Sequence, residues 1–487
     1  MQGFTYIDLI ILVVYLAAVL FAGLHFAKKE MKGKEYFKGD GTVPWWVTSV
    51  SIFATLLSPI SFLSLAGNSY AGTWIMWFAQ LGMLLAIPLT IKFFLPVYSK
   101  LDIDTAYHYL ELRFGSKGLR VLGAVMFIIY QIGRMSIIMY LPCMVLGSLT
   151  GISVNLLIII MGVIAIIYSY TGGLKSVLWT DFIQGSVLLI GVTFALVFLI
   201  AHIDGGMGAI FQAFSLEHKF LAVDQPIFNP NIFKDSVFIL IVGAGFNTMG
   251  SYVSSQDIVQ RFTTTTDTKK LNKMMLTNGA LSIFIATVFY LIGTGLFVFY
   301  KQNALPPAAA QDQIFASYIA FELPVGVTGL LLAAIYAAAQ STLSTGLNSV
   351  ASSWALDIQS NLSKEELGFE KETKIGQRVS LIVGIFAIVV AMVLANGGVK
   401  SAYEWFNGFM GLVLGILIGT FILGAFTKIA NTFGAVAAFI ASSAVMVYIK
   451  YFVPAGEVTI WSYSIISIVV SLIVGIPASI LWRKLKN

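Results

Sequence analysis

Several residues in this chain could do chemistry inside a membrane. Arg134 stands in FIIYQIGRMSIIMYLP, near the middle of an apolar run over about residues 119–148. A guanidinium cannot shed its proton to escape burial. In hydrocarbon it costs at least about 2.5 kcal/mol, and it sits too far from either end to snorkel. It needs an anion, a ring of carbonyls or a wet cavity. It therefore marks either an anionic solute bound at the membrane midplane or a structural ion pair with another helix. Asp181, in YTGGLKSVLWTDFIQ, is a carboxylate within a span, a rare placement that usually serves function. Lys175, near the headgroups, is its alternative partner. Ser341, Ser344 and Thr345 in AAAQSTLSTGLNS lie at i, i+3 and i+4 and share a helix face, with Thr342 on the adjoining one. Hydroxyl and carbonyl oxygens are hard neutral ligands suited to sodium, although the same small residues also let helices pack closely. With Asp181 they would complete a cation site. Asp8, Asp257 and Asp357 lie nearer span ends and read as caps or interfacial pairs.

The elements that position these groups must be membrane helices. Of the 487 residues, 58% are hydrophobic and 11% charged, against about 25% charged in a soluble domain. The net charge of +6 points to neither nucleic acid nor an acidic substrate, because the basic residues gather at helix ends. The single Cys143 excludes an intramolecular disulfide, and His25, His108, His202 and His218 are scattered without metal-ligand spacing. About 20 apolar residues make a crossing. Thirteen candidate spans result, at about 5–27, 45–69, 72–98, 119–148, 154–171, 176–203, 236–260, 274–300, 311–355, 377–396, 401–425, 428–450 and 459–482. The ninth is too long for one crossing and must include a loop or amphipathic segment. The first lacks the basic leading region of a cleaved signal. With the N-terminus outside and the C-terminus cytoplasmic, 22 of the 29 basic residues fall in cytoplasmic segments, among them Lys28, Lys29, Lys32, Lys34, Arg261 and Lys364. Five, including Lys219 and Lys400, fall outside.

Two spans look broken at corresponding places. The second carries Ser58-Pro59 at its centre, and proline removes a backbone donor and clashes with the preceding turn. The seventh carries Gly243, Gly245, Asn247 and Gly250 in its middle. Spans two to six and seven to eleven then form two units of five helices with inverted topology. Paired broken helices in inverted repeats mark a transporter site; a simple kink is the alternative at either one. The organisation is an N-terminal extra helix and basic loop (1–44), a first repeat (45–203), an extracellular loop (204–235), a second repeat (236–425) and two C-terminal helices (426–487). Gly411, Gly415 and Gly419 form a small-residue stripe for close helix packing or a dimer contact.

YTGGLKSVLWTDFIQ (170–184) followed by SSQDIVQR (254–261), together with AAQSTLSTGLNS (338–349) and ATLLSPIS (54–61), resemble the sodium/solute symporter family over nearly the whole chain. The resemblance implies an all-α integral membrane fold of LeuT-like inverted five-helix repeats with flanking helices. It implies a main sodium site at Ala54, Leu57, Ala338, Ser341 and Thr342, with Thr342 where many members have Ser. It implies a second sodium site at Asp181, Ser341, Ser344 and Thr345. Within the family the chain is most similar to the bacterial sodium/sialic acid symporters. That likeness gives Arg134 the substrate carboxylate, which a planar fork binds with two hydrogen bonds. Ser58, Ser61, Gln80 and Asn247 would supply further polar contacts.

The expected function is sodium-coupled uptake of sialic acid by alternating access in a bacterial inner membrane. The expected partners are sodium, an anionic solute and the bilayer, and the expected state is a monomer. A carrier of proline or another small carboxylate is the second reading. An enzyme would need a convergent acid, base, nucleophile or metal, and the sequence offers no His pair, reactive cysteine or paired intramembrane carboxylates. A sensor would carry a soluble signalling domain, and stretches 204–235 and 356–376 are too short for one. A channel would not call for paired broken helices.

Overall fold

The computed structural model describes residues 5–27, 34–101, 103–303, 313–363, 368–397, 402–454 and 456–486, and these are helical with connecting turns. Lys28, Lys29, Lys32, Lys364 and Lys400 lie outside the described residues, as does the packing of Gly411. The helices that matter for the site are α1 (Tyr6–Phe26), α2 (Trp45–Leu56), α3 (Pro59–Ala71), α4 (Trp74–Leu101), α5 (Ala106–Phe114), α6 (Lys117–Thr150) and α7 (Val154–Ala201). They continue as α8 (Val237–Ser254), α9 (Gln256–Phe262), α10 (Thr268–Gln302), α11 (Ile314–Phe321), α12 (Val327–Ser352), α13 (Phe369–Asn396), α14 (Ala402–Phe426), α15 (Thr432–Phe452) and α16 (Tyr463–Lys486).

Ten described helices are long and apolar enough to cross a membrane, and the bent pair α2–α3 makes an eleventh. The difference from the thirteen expected crossings lies in two places. α7 runs for 48 residues, about 72 Å at 1.5 Å per residue and more than twice the roughly 30 Å hydrocarbon thickness. At its middle Gly173 leaves the helical region (φ 54°, ψ −157°). A side chain there would strike the Tyr36 carbonyl, so only glycine allows this kink. α14 counts only through its shorter stretch Gly415–Phe426. The overlong ninth span resolves into α11, a turn at 322–326 and α12.

Burial sorts the helices by their solvent. In α12 the most apolar stretch is 89% buried, whereas in α13, α15 and α16 only 28%, 28% and 33% are. α12 is therefore the central post, and the last three turn residues such as Ile382, Val393 and Ile473 outward, as lipid contact requires.

Local chemistry sets the breaks. Leu57 and Ser58 are extended, Pro59 opens α3 where its missing N–H costs nothing, and the Ser58 hydroxyl accepts from the Ser61 N–H at 3.3 Å. The two halves meet at 65°. The second break is not at the glycines. α8 is continuous through Gly243, Gly245 and Gly250, and the chain becomes extended at Ser255 (φ −93°, ψ 115°) before α9. Those glycines instead let neighbours close in: Gly243 on Trp461, Gly245 on Gly82 and Leu85, and Gly250 on Ile418. Gly419 likewise meets Ser467 and Ser471 of α16.

At the end of α3, the Lys219 Nζ donates to the Tyr70 and Gly72 carbonyls at 2.7 and 3.1 Å and lies over the Phe297 ring. Burial pushes this amine down to about 8, with Glu217 opposing. The unfolded chain keeps this proton up to its ordinary value of 10.5, and the folded one releases it above about 8. Lys219 therefore adds stability fully above pH 10.5, and the gain is lost as pH falls through about 8. Thermal melts should show wild type gaining on Lys219→Met across that window; parallel profiles would contradict the burial. Packing gives a second expectation. A Cβ at Gly293 would lie 2.2 Å from the Ala66 carbonyl, while one at Gly208 would meet open space. Gly293→Ala should cost about 1–3 kcal/mol and lower the melting temperature in detergent, with Gly208→Ala as the unchanged control. Equal melting of the two variants would contradict the α3–α10 contact.

Candidate functional site

The residues singled out by sequence converge where α2 ends, where α9 begins and along α12. At the first break the Ser341 hydroxyl donates to the carbonyls of Ala54 and Ala338 at 3.0 and 3.2 Å, and the Thr342 hydroxyl donates to Ala338 at 3.0 Å. Leu57 sits in the extended pair beside them, and all five residues are buried. The result is a neutral cluster of hydroxyl and carbonyl oxygens at an unwound helix, the kind of donor set that coordinates sodium in transporters.

A second cluster surrounds Asp181, which is fully buried. Its Oδ2 accepts from Ser51 Oγ at 2.6 Å, Arg261 Nη2 at 2.8 Å and Thr345 Oγ1 at 3.1 Å; its Oδ1 accepts from Ser344 Oγ at 3.4 Å. Ser344 and Thr345 are thus in place, whereas the Ser341 hydroxyl serves the first cluster. Lys175 is not the partner. It pairs with Asp40 at 2.6 Å and donates to Thr42 at 2.7 Å. Burial alone would raise the Asp40 carboxyl, but the hydrogen bonds from Lys175 and Thr42 hold it down at about 2.

Arg134 is buried and donates from Nη1 to Asp257 Oδ2 at 2.5 Å and from Nη2 to the Thr55 carbonyl at 2.7 Å. Its Nε finds no acceptor in good geometry, with the Tyr130 hydroxyl alongside. The guanidinium thus reaches the last turn of α2, next to Leu56 and Leu57. Those two residues line a cavity of about 130 Å³, together with Phe53, Ser61, Gln80 and Ser282. Ser58 adjoins it, its Oγ 3.3 Å from Ser61 Oγ. Asn247 does not face this cavity. It is exposed on α8, and its side-chain carbonyl accepts from Ser464 of α16 at 3.2 Å. With α8 unbroken at that point, nothing turns Asn247 inward.

Several charged residues stand differently from their sequence reading. Arg261, counted among cytoplasmic basic residues, is only 1% exposed. Asp257 is the Arg134 partner rather than an interfacial pair. Asp357 is buried and accepts from Arg120 Nε at 2.6 Å and Thr105 Oγ1 at 2.5 Å, while Arg120 Nη1 reaches Glu111 at 2.9 Å. This clasp ties α5 and α6 to the helical segment Ser353–Gln359 that continues α12, the α12 arm. Asp8 does cap α1 through Thr5, but it also accepts from the Gly326 and Gly329 N–H groups at 2.8 Å each, which joins α1 to the start of α12. Sequence reasoning missed Ser51 and Arg261. The available signal was the i, i+4 spacing of Asp257 and Arg261 within SSQDIVQR.

Known proteins agree with this architecture. A family model for the sodium:solute symporter family matches residues 36–442. The sodium/sialic acid symporter SiaT of Proteus mirabilis (strain HI4320) is 34% identical over 490 aligned residues, covering 100% of this chain and 97% of that protein. The sodium/sialic acid symporter NanT of Aliivibrio fischeri (strain ATCC 700601 / ES114) is 31% identical, covering 97% and 93%. A solved substrate-bound, outward-open Na+-coupled sialic acid symporter superposes with a TM-score of 0.91 at 34% identity over 98% of each chain. The nucleobase-cation symporter Mhp1, at 16% identity and a TM-score of 0.58, shares the fold, a LeuT-like arrangement of helices. With the matched region spanning both broken helices and the Asp181 and Arg134 clusters, the chain belongs to the sodium:solute symporter family.

Proposed function

We propose that this protein is a sodium-coupled symporter of sialic acid, working by alternating access as a monomer in a bacterial inner membrane. The observation that carries the reading is Arg134, a permanent cation buried against the first helix break, where the next residues of the chain, Leu56 and Leu57, line a cavity that also presents Ser61, Gln80 and Ser282. A buried guanidinium beside a ligand cavity is suited to a carboxylate, and relatives that match the whole chain are named for sialic acid. Ser58, Ser61 and Gln80 supply neutral hydrogen-bonding groups for the hydroxyls of a sugar acid. At about 130 Å³ the cavity is smaller than the roughly 300 Å³ at which ligand pockets begin. Binding must therefore widen it, as a rocking carrier does and a fixed catalytic pocket does not. Transport, not catalysis, is the proposed activity. Within α14, Gly419 meets Ser467 and Ser471 of α16 and Gly415 meets Met446 of α15, which supports the monomer.

In this reading one sodium binds among Ala54, Leu57, Ala338, Ser341 and Thr342, and a second binds at Asp181, Ser344 and Thr345 with Ser341 adjoining. The first joins α2 to α12 and so links the two repeats, 45–203 and 236–425. Sodium stabilises the outward-open arrangement, substrate closes it, and rocking exposes both sites to the low-sodium interior. Thirteen crossings, with the N-terminus outside and the C-terminus cytoplasmic, orient this cycle inward. Two sodium ions with one monoanion carry net positive charge, worth about 2.3 kcal/mol per 100 mV.

Uptake of radiolabelled N-acetylneuraminic acid into proteoliposomes tests the reading. Wild type should accumulate it only with an inward sodium gradient, and faster under a valinomycin-imposed negative interior. Arg134→Ala should fall by roughly 30-fold or more, the loss expected on removing a buried charge partner. Sodium-independent uptake, or full activity in Arg134→Ala, would contradict it. A separate sodium titration distinguishes the two ion sites. Ser341→Ala should raise the sodium concentration needed for half-maximal uptake. Asp181→Asn should reduce the Hill coefficient for sodium toward one while substrate is still recognised. A wild-type sodium curve in both variants would remove these residues from the sites.

A further inference from the structure

The two charged residues of the motif SSQDIVQR touch both proposed sites. Asp257 and Arg261 are four apart on α9, so their side chains are helix neighbours. Both are buried. They reach in different directions. Asp257 Oδ2 holds Arg134, and its Oδ1 accepts from Ser255 Oγ at 2.5 Å. Arg261 donates from Nη2 to Asp181 and Thr345, from Nε to Ser51 at 2.9 Å, and from Nη1 to the backbone carbonyl of Asp257. The guanidinium thus occupies the carboxylate and a hydroxyl assigned to the second sodium. In the same way, the Asp257 carboxylate occupies the fork assigned to the substrate carboxylate. Each transported ion has a resident rival of its own sign, and the two rivals are neighbours on one short helix.

We propose that the pairs Asp181–Arg261 and Asp257–Arg134 form an exchange relay that couples sodium to substrate; it rests on the site assignments made above. Sodium arriving at Asp181 displaces Arg261. The freed guanidinium turns onto the Asp257 carboxylate, one helical turn away. Asp257 then releases Arg134, which takes the substrate carboxylate. Before the exchange two buried carboxylates face two guanidiniums. Afterwards Asp181 faces sodium, Asp257 faces Arg261 and the substrate faces Arg134. No buried charge is left alone at either end of the exchange, and leaving one alone is what makes breaking a buried pair so costly. Without sodium, Arg134 can reach substrate only by abandoning Asp257 unpaired. The coupling is reciprocal, so bound substrate tightens sodium by the same factor.

The test is equilibrium binding of N-acetylneuraminate to purified protein with and without sodium, together with a substrate-free sodium titration read by tryptophan fluorescence. In wild type, sodium should tighten substrate binding by roughly 5–150-fold, the usual range of coupling. Asp257→Asn frees Arg134 and should improve binding in the absence of sodium, shrinking that ratio. Arg261→Gln should lower the sodium concentration for half-saturation, because the rival is gone. It should also weaken substrate binding in the presence of sodium, because nothing relieves Asp257 of Arg134. The two variants thus move substrate affinity in opposite directions, which a merely structural role would not produce. Arg261→Lys keeps the charge for folding and should shift the sodium titration the same way by less. Wild-type sodium dependence in both Asp257→Asn and Arg261→Gln, with Arg134→Gln failing to bind, would overturn the relay and leave the transport reading standing. Undiminished binding by Arg134→Gln would remove Arg134 as the partner of the substrate carboxylate and overturn the relay, whereas no binding of N-acetylneuraminate by folded wild type would overturn the transport reading. The fluorescence titration needs no substrate, and an unchanged curve for Arg261→Gln would by itself remove Arg261 as the rival of sodium.

Discussion

The constraint on which this structure depends is the pairing of charge away from water. Asp181, Asp257 and Asp357 are each fully buried, and each accepts from an arginine at 2.5–2.8 Å. Such pairs add little net stability, because desolvation offsets most of the attraction. Their value lies in position. Once both partners are buried, neither can leave without a replacement of the same sign. A membrane interior thereby turns ion pairs into sites that respond to ions. Two of the three pairs stand at the helix breaks, where the backbone also offers free carbonyls.

The fold serves those breaks. α12, the most buried long helix, brings its hydroxyl face against the end of α2 and against Asp181 of α7. Arg134 of α6 bridges the Thr55 carbonyl of the first broken helix to Asp257 of the second. Arg261 of the second broken helix returns to Ser51 of the first. The two broken helices are therefore joined by two arginines running in opposite directions. Any motion of one broken helix against the other must remake those bonds. The Arg120–Asp357–Glu111 clasp holds a further contact of α6 with the α12 arm and must yield or persist with that motion.

Much of this was legible in the sequence, and the parts that were not share a physical reason. Ser58-Pro59 announced a break because proline removes a donor locally and serine caps the next helix. Asp181 and the Ser341, Ser344 and Thr345 face were legible because a carboxylate and a hydroxyl stripe within apolar helices need partners. Arg134 calls for an anion, carbonyls or a wet cavity, either as a solute site or as a structural ion pair; the structure supplies the Asp257 carboxylate and the Thr55 carbonyl. The second break was misplaced because Ser255 carries no glycine or proline. The glycines of α8 answer to Trp461, Gly82 and Ile418, contacts that lie far along the chain and leave no local signature. Arg261 reads as a loop charge because it ends an apolar run, and Asn247 reads as facing inward because its partner Ser464 lies 217 residues further along the chain.

The most direct test of the central claim, that buried charge pairs at the two breaks convert sodium binding into solute binding, is the thermodynamic stoichiometry of transport. It is obtained from the membrane potential at which a fixed sialic acid gradient and a fixed sodium gradient give no net flux in proteoliposomes. The account predicts a reversal potential corresponding to two sodium ions per sialic acid and one net positive charge. A sialic acid flux whose direction ignores the sodium gradient would contradict it.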